Sequence, residues 1–345
     1  MIAPLRPGWL AFIPVLWPAL AARAEAGFVE TFDDDPIAAG RFEVHDGDPS
    51  RFVYRPAERV LLARYNSLHP TARLVRRLCR PLNQSDSFDF EAVFRLKSSG
   101  FVADPRRYAQ IAFGLMNAAT TGHERVYGLN GQGSFDLLSF DYYPNVTLFG
   151  GPSAGVTIIQ SDTGIGYAGA IHFAFGSETA LDEAGEAPLP LDEWLTAEVR
   201  YDGPARRARL RILHDGQPLP INATGADGRP GGDDADPATI VTPFSGPGLI
   251  VDRFGIFLWR DTSASFASLI ADVEFRRLAL TLRAGGDFDR DGDVDGNDLE
   301  RFTSCAAGPR IAPSGPDCAD ADLDCDGDVD QADFGLLQAG MTVRP

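Results

Sequence analysis

Two twelve-residue stretches carry aspartate at every second position and then once more three residues on. The first places Asp287, Asp289, Asp291, Asp293, Asp295 and Asp298; the second places Asp322, Asp324, Asp326, Asp328, Asp330 and Asp333. DFDRDGDVDGND thus returns as DLDCDGDVDQAD at an offset of 35 residues, and the same offset carries Leu299 onto Phe334 and Phe302 onto Leu337. Carboxylates crowded in this way repel unless a cation sits among them. Two unit charges about 4 Å apart cost on the order of 4 kcal/mol at the effective dielectric of a protein surface. The cation that suits an all-oxygen donor set is Ca²⁺, which takes roughly six to eight hard oxygens in a flexible cage.

The spacing fits the EF-hand loop, with ligands near positions 1, 3, 5, 7, 9 and 12 and glycine at position 6. Asp287, Asp289 and Asp291 take the first three places in one copy, and Asp322, Asp324 and Asp326 in the other. Gly292 and Gly327 supply the sharp turn. Asp293 and Asp328 are expected to ligate through their backbone carbonyls, and Asp295 and Asp330 through a water. Asp298 and Asp333 stand where the usual loop has a bidentate glutamate. Val294 and Val329 are expected to pin the two loops together, and a short helix is expected after each loop, over 299–305 and 334–338. Two such loop–helix halves, over about residues 286–340, resemble a type I dockerin. The resemblance implies two bound Ca²⁺ ions and docking onto a cohesin-like or other extracellular receptor of a polysaccharide-degrading assembly. Between Asp287 and Asp333 there are fifteen acidic residues and three arginines, a balance of −12 out of −18 for the whole chain. Folding of this module is therefore expected to be coupled to metal binding.

The elements ahead of the loops read as strands. SFDFEAVFRL (87–96), AQIAFGLM (109–116), GVTIIQ (155–160), AIHFAFG (170–176), RARLRILHDG (207–216) and LIVDRFGIFLW (249–259) are rich in Val, Ile and Phe, several with period-two alternation. Turn signals such as Asp202-Gly203-Pro204 and Gly150-Gly151-Pro152 separate them. Many strands with Gly/Pro turns and no long amphipathic helix predict a mainly β fold, a sandwich or barrel. EWLTAEVRYDGPARRARLRILHDGQPL (193–219), the late strand ADVEFRRLAL (271–280) and the opening GFVETFDDD (27–35) resemble the concanavalin A-like lectin/glucanase superfamily, laminin-G-like members included. That resemblance implies a jelly-roll β-sandwich over 27–283, followed by a small helical calcium module over 284–345.

Within the sandwich, Trp194, Trp259, Tyr142 and Tyr143 are the candidates for stacking on a sugar ring, since such sites pair aromatic faces with a few orienting polar groups. A retaining glycosidase needs two carboxyl groups about 5 Å apart. The Glu-x-Asp-x-x-Glu strand motif of the laminarinase-like branch is absent, and Asp89 and Glu91 read as a solvated strand face. Gly151-Pro-Ser153-Ala-Gly155 matches a nucleophile elbow but has strands on both sides, where the elbow needs a helix after it. Gly164-Ile-Gly166-Tyr-Ala-Gly169 precedes a strand, which argues against a dinucleotide site. The expected function is non-catalytic glycan binding carried by a calcium-dependent docking module. A glycoside hydrolase and a calcium-dependent structural surface protein stay open as alternatives.

Residues 1–26 read as a signal peptide: Arg6, the apolar run GWLAFIPVLWPAL and the small-x-small end Ala24-Glu25-Ala26. The run is too short to span a bilayer, so the expected product is secreted or cell-surface and not membrane-spanning. A net charge of −18 argues against a nucleic-acid partner. Export permits disulfides. Cys305, Cys318 and Cys325 admit three pairings, of which Cys305–Cys318, closing the loop between the acidic segments, is the one expected; Cys79 is expected to be a buried free thiol.

Overall fold

The computed structural model describes residues 27–66, 68–99, 111–122, 136–143, 153–159, 169–174, 189–219, 232–233, 236–243, 248–260, 270–283, 286–289, 293–313, 315, 318, 320–324 and 326–341. The expected signal peptide lies outside these residues. The described chain forms β1 (Gly27–Glu30), β2 (Glu43–Asp46), β3 (Phe52–Arg55), β4 (Val60–Asn66), β5 (Ala72–Asn83), β6 (Ser87–Leu96), β7 (Ile111–Met116), β8 (Leu137–Tyr143) and β9 (Ser153–Ile159). After them come β10 (Gly169–Ala174), β11 (Leu195–Asp202), β12 (Arg207–His214), β13 (Gln217–Pro218), β14 (Gly232–Asp233), β15 (Asp236–Pro243), β16 (Ile250–Leu258) and β17 (Ile270–Arg283). Helices α1 (Gly296–Cys305) and α2 (Gln331–Gly340) close the chain. No helix among the described residues is long and apolar enough to cross a membrane.

The strands build two antiparallel sheets, so the protein is a mainly β sandwich with a small helical C-terminal region. The larger sheet runs β14-β15-β12-β11-β6-β17-β4-β3, with β1 on β17 and β13 on β12; the other runs β10-β9-β8-β7-β16-β5-β2. Strand β17 is the hinge of the larger sheet. It pairs with β6 along one side, and with β4 and then β1 along the other.

Alternation explains why these residues become strands. In β6, Phe88, Phe90, Ala92, Phe94 and Leu96 point inward while Asp89, Glu91 and Arg95 point outward. The inward rings lock the layers together. Phe90 meets Phe113 and Phe254 of the facing sheet at centroid distances of 6.3 and 5.7 Å, and Phe94 meets Phe113 and Phe140 at 5.9 Å each. Strand β7 departs from alternation: all six of its residues are buried. A second apolar cluster, holding Val75, Ala112, Met116, Leu137, Phe257 and Trp259, covers the sheet's other face.

The β7–β16 pair also places Gly114 directly opposite Gly255. A Cβ at Gly255 would lie 2.1 Å from the Leu74 carbonyl oxygen, and one at Gly114, whose φ is +151°, 2.4 Å from that of Leu138. These backbones approach too closely for any side chain. Gly255→Ala is therefore expected to cost about 2 kcal/mol or more through overpacking. Thermal unfolding of the sandwich measures it, and an unchanged midpoint would refute the close approach.

Candidate metal centre

The local folding of the acidic repeats begins with the helices. The Asp295 side chain accepts from Asn297 N at 2.8 Å, while Asp298 Oδ2 accepts from Asp295 N at 2.8 Å. Asp330 and Asp333 repeat this reciprocal capping box on α2, at 2.7 and 2.8 Å. Helices were expected to start at Leu299 and Phe334; each starts three residues earlier, because the box satisfies the first orphan N–H groups. The side chains of Asp295 and Asp330, read from spacing as water-bridged ligands, also cap their helices, each through its Oδ1.

Around each helix start the carboxylates converge. One oxygen from each of Asp287, Asp289 and Asp298 lies within 4.8 Å of the others, and Asp322, Asp324 and Asp333 form the same group in the second copy. Asp298 and Asp333 are 0% exposed. Asp298 Oδ1 accepts from Phe288 N at 2.5 Å and Asp289 N at 3.3 Å; Asp333 Oδ1 accepts from Leu323 N at 2.6 Å and Asp324 N at 3.0 Å. One buried carboxylate therefore ties the start of its loop to the helix that ends it. Asp322 folds the second loop inward by accepting from Asp326 N at 3.1 Å and Gly327 N at 3.0 Å, with Gly327 at φ +97°. Asp291 and Gly292 of the first loop lie outside the described residues.

The donor set fits a hard cation. Every converging atom is a carboxylate oxygen, with no nitrogen or sulfur among them. Asp328, Asp330 and Asp333 form a further group of three. Asp328 is buried and receives a hydrogen bond from Arg310 N, yet its Oδ1 has no hydrogen-bond partner among the described residues. A buried carboxylate oxygen without a donor is costly, and a cation is the partner that would satisfy it. Burial, followed by the charges of Asp333, Asp326 and Asp322, pushes the Asp324 carboxyl above its ordinary pKa. The neighbouring carboxylates thus work against the charged form.

The two halves share an apolar core of their own. Val294, Phe302, Cys305, Ala321, Leu323, Val329 and Leu337 are buried together, and the rings of Phe302 and Phe334 lie 5.9 Å apart. Gly286 marks the junction with the sandwich: its φ is +114°, and a Cβ there would meet Leu337 Cδ1 at 2.6 Å. A disulfide joins Cys305 to Cys318. Cys79 departs from expectation. It is exposed and disulfide-bonded, where a buried free thiol was expected.

Two of the four aromatic candidates of the sandwich, Tyr142 and Trp259, are placed differently from a sugar platform. Tyr142 is fully buried in the main core and Trp259 is 1% exposed, donors of packing area with no face toward solvent. Trp194 already carries the guanidinium groups of Arg95 and Arg276, at 4.5 and 4.6 Å from its ring centroid. The Tyr143 backbone pairs with Ser153, and its side chain lies outside what is described.

The carboxylates of the outer face are tied up in ion pairs. Glu91 bonds Arg277 at 2.7 Å, Asp89 lies 3.4 Å from Arg200, and Glu274 joins Arg55 and Arg95 at 2.8 and 2.5 Å. Glu198 sits opposite Glu91 in the β6–β11 register, with Arg211 opposite it on β12. Like charges thus lie opposite at Glu91–Glu198 and at Arg200–Arg209, with opposite charges beside them at Glu198–Arg211 and Asp89–Arg200. Asp141, the buried acid of β8, accepts from Ser139 Oγ at 3.0 Å and from Thr157 Oγ1. Ser153 of the G-x-S-x-G match is the first residue of β9, and Gly155 lies within that strand, so no nucleophile elbow forms.

No family model matches the chain, and no curated protein does. Among solved structures it is similar to the carbohydrate recognition domain of Emp47p, at 13% identity and TM-score 0.40, covering 70% of this chain and 88% of that one. Peanut lectin in complex with a nine-residue peptide is similar at 9% identity and TM-score 0.41, over 74% and 96%. The seed lectin of Lotus tetragonolobus is similar at 13% identity and TM-score 0.39, over 74% and 99%. No functional assignment follows from likeness at this level.

Proposed function

We propose that this is an exported two-part protein. Its C-terminal unit, residues 284–345, binds two Ca²⁺ and docks onto an extracellular protein, while its sandwich, residues 27–283, binds glycan without catalysis. The observation that carries the calcium reading is the repeated convergence of three carboxylates, from positions 1, 3 and 12 of both loops, within 4.8 Å. Asp287, Asp289, Asp291 and Asp298 would hold the first ion, with the Asp293 carbonyl; Asp322, Asp324, Asp326 and Asp333 would hold the second, with the Asp328 carbonyl. Bound there, each ion supplies positive charge that offsets the repulsion of the cage and fixes the loop against its helix.

Isothermal titration of chelator-stripped protein with CaCl₂ tests this reading. Two equivalents are expected to bind, and Asp287→Asn and Asp322→Asn are each expected to remove one. Absence of saturable binding would overturn it. Docking is tested by capture of exported proteins with and without Ca²⁺. For the sandwich, a glycan array beside a reducing-sugar release assay separates binding from hydrolysis. The paired state of Asp89, Glu91 and Glu274 supports the non-catalytic reading, and sugar release would refute it.

A further inference from the structure

Strand β5 is interrupted where it pairs with β16. Leu82 lies opposite Val251 and Arg77 opposite Arg253, so Leu78, Cys79, Arg80 and Pro81 face the single residue Asp252. Bulges of this kind re-aim side chains out of the ladder, and Cys79 is exposed on this one. Beside it lies a cavity of about 350 Å³ lined by Phe28, Arg76, Arg77, Cys79 and Arg80 of the sandwich, and also by Asp324 of the second acidic loop. The Arg76 guanidinium lies 4.4 Å from the Phe28 ring centroid. A basic strand segment and the most acidic part of the chain therefore meet across one cavity.

Cys79 is disulfide-bonded, no cysteine among the described residues is free, and Cys305 is joined to Cys318. The chain has four cysteines. We infer that Cys79 pairs with Cys325, so that the bulge of β5 is covalently tied to the second acidic loop and the sandwich is itself a bound partner of the C-terminal unit. Two observations converge on this pairing: the cysteine count, and the presence of Asp324, the immediate neighbour of Cys325, in the cavity that Cys79 lines. Closing the bond oxidises two thiols, whose two electrons and two protons pass to an exchanging disulfide of the export compartment. Cys325 is position 4 of its loop, between Asp324 and Asp326, so the bond anchors the second loop and not the first. The inference is independent of whether either loop binds Ca²⁺.

Peptide mapping of the full mature protein, alkylated and digested without reductant, tests the pairing. Trypsin leaves Cys318 and Cys325 on one peptide, and an Asp-directed protease then separates Asp317-Cys318 from Asp324-Cys325. The expected result is residue 79 linked to residue 325 in a monomer, with residues 305 and 318 linked separately. An alkylated Cys79, a link from it to Cys305 or Cys318, or a link to a second copy would overturn the inference. Limited proteolysis between the two units gives a second readout. The nicked protein is expected to run as one band without reductant and as two with it. Cys79→Ser is expected to give two bands in both conditions, and the mapping of the unaltered protein decides the matter if that variant does not fold.

Discussion

Asp333→Ala is expected to unfold the C-terminal unit while the sandwich melts as before. The Asp333 carboxylate is completely buried and accepts three backbone N–H bonds, from Leu323, Asp324 and Asp330. Hydrogen bonds to a charged group contribute roughly 1.5–3 kcal/mol each, and loss of a helix cap costs about 1 kcal/mol. The terms overlap, so the net cost is on the order of 4–6 kcal/mol. A unit this small buries little of its surface and has no such reserve. The measurement is the far-ultraviolet helix signal and the number of thermal transitions in Ca²⁺. A variant that keeps both helices would refute the tie between loop and helix. The penalty should shrink in chelator, because there the deletion also relieves repulsion from Asp322 and Asp324. Asp298→Ala is expected to behave alike in the first half, since its three bonds are the same.

The second large effect is that of calcium on stability. Ligand at about 100 times its dissociation constant stabilises a site by roughly 2.7 kcal/mol, so two sites give on the order of 5 kcal/mol. For a unit of this size each kcal/mol moves the midpoint by about 4–8 °C. The C-terminal transition is therefore expected to rise on the order of 20 °C between excess EGTA and saturating CaCl₂. Sodium chloride at about 1 M, which shortens the screening length to about 3 Å, separates binding from mere screening. If salt reproduces the whole rise, the cages do not bind calcium specifically.

Legibility in the sequence followed the range of the contacts. Strand β6 was readable to its ends because Phe88, Phe90 and Phe94 alternate with polar residues and need no distant partner to explain them. Strand β5 was not, because Arg73, Arg76, Arg77 and Arg80 break the apolar pattern. Arg73 is nevertheless buried, its charge met by Asp46 and by the Thr121 carbonyl, contacts that lie far off in the chain. The spacing of the acidic loops was legible because their groups are local. The helix starts were placed three residues late because Asp295 and Asp330 satisfy a ligand pattern and a D-x-x-D capping box at once; a box read first would have placed them correctly. Trp259 and Tyr142 show the limit for aromatics: a ring that stacks on sugar and a ring that fills a core are the same letter. Cys79 was misread for the same reason as β5, since its partner is not a sequence neighbour.

Strand β17 has a consequence in time. It is the last strand of the sandwich to be synthesised, yet it lies in the middle of the larger sheet and holds β6, β4 and the N-terminal β1 in place. At about 10 residues per second, roughly 25 s separate the emergence of β1 from that of β17. Throughout that interval the sheet lacks its central member, and pairings of such long range form late. The larger sheet consequently stays unclosed until β17 has been made, the condition in which a polypeptide can be threaded through a narrow pore before it folds.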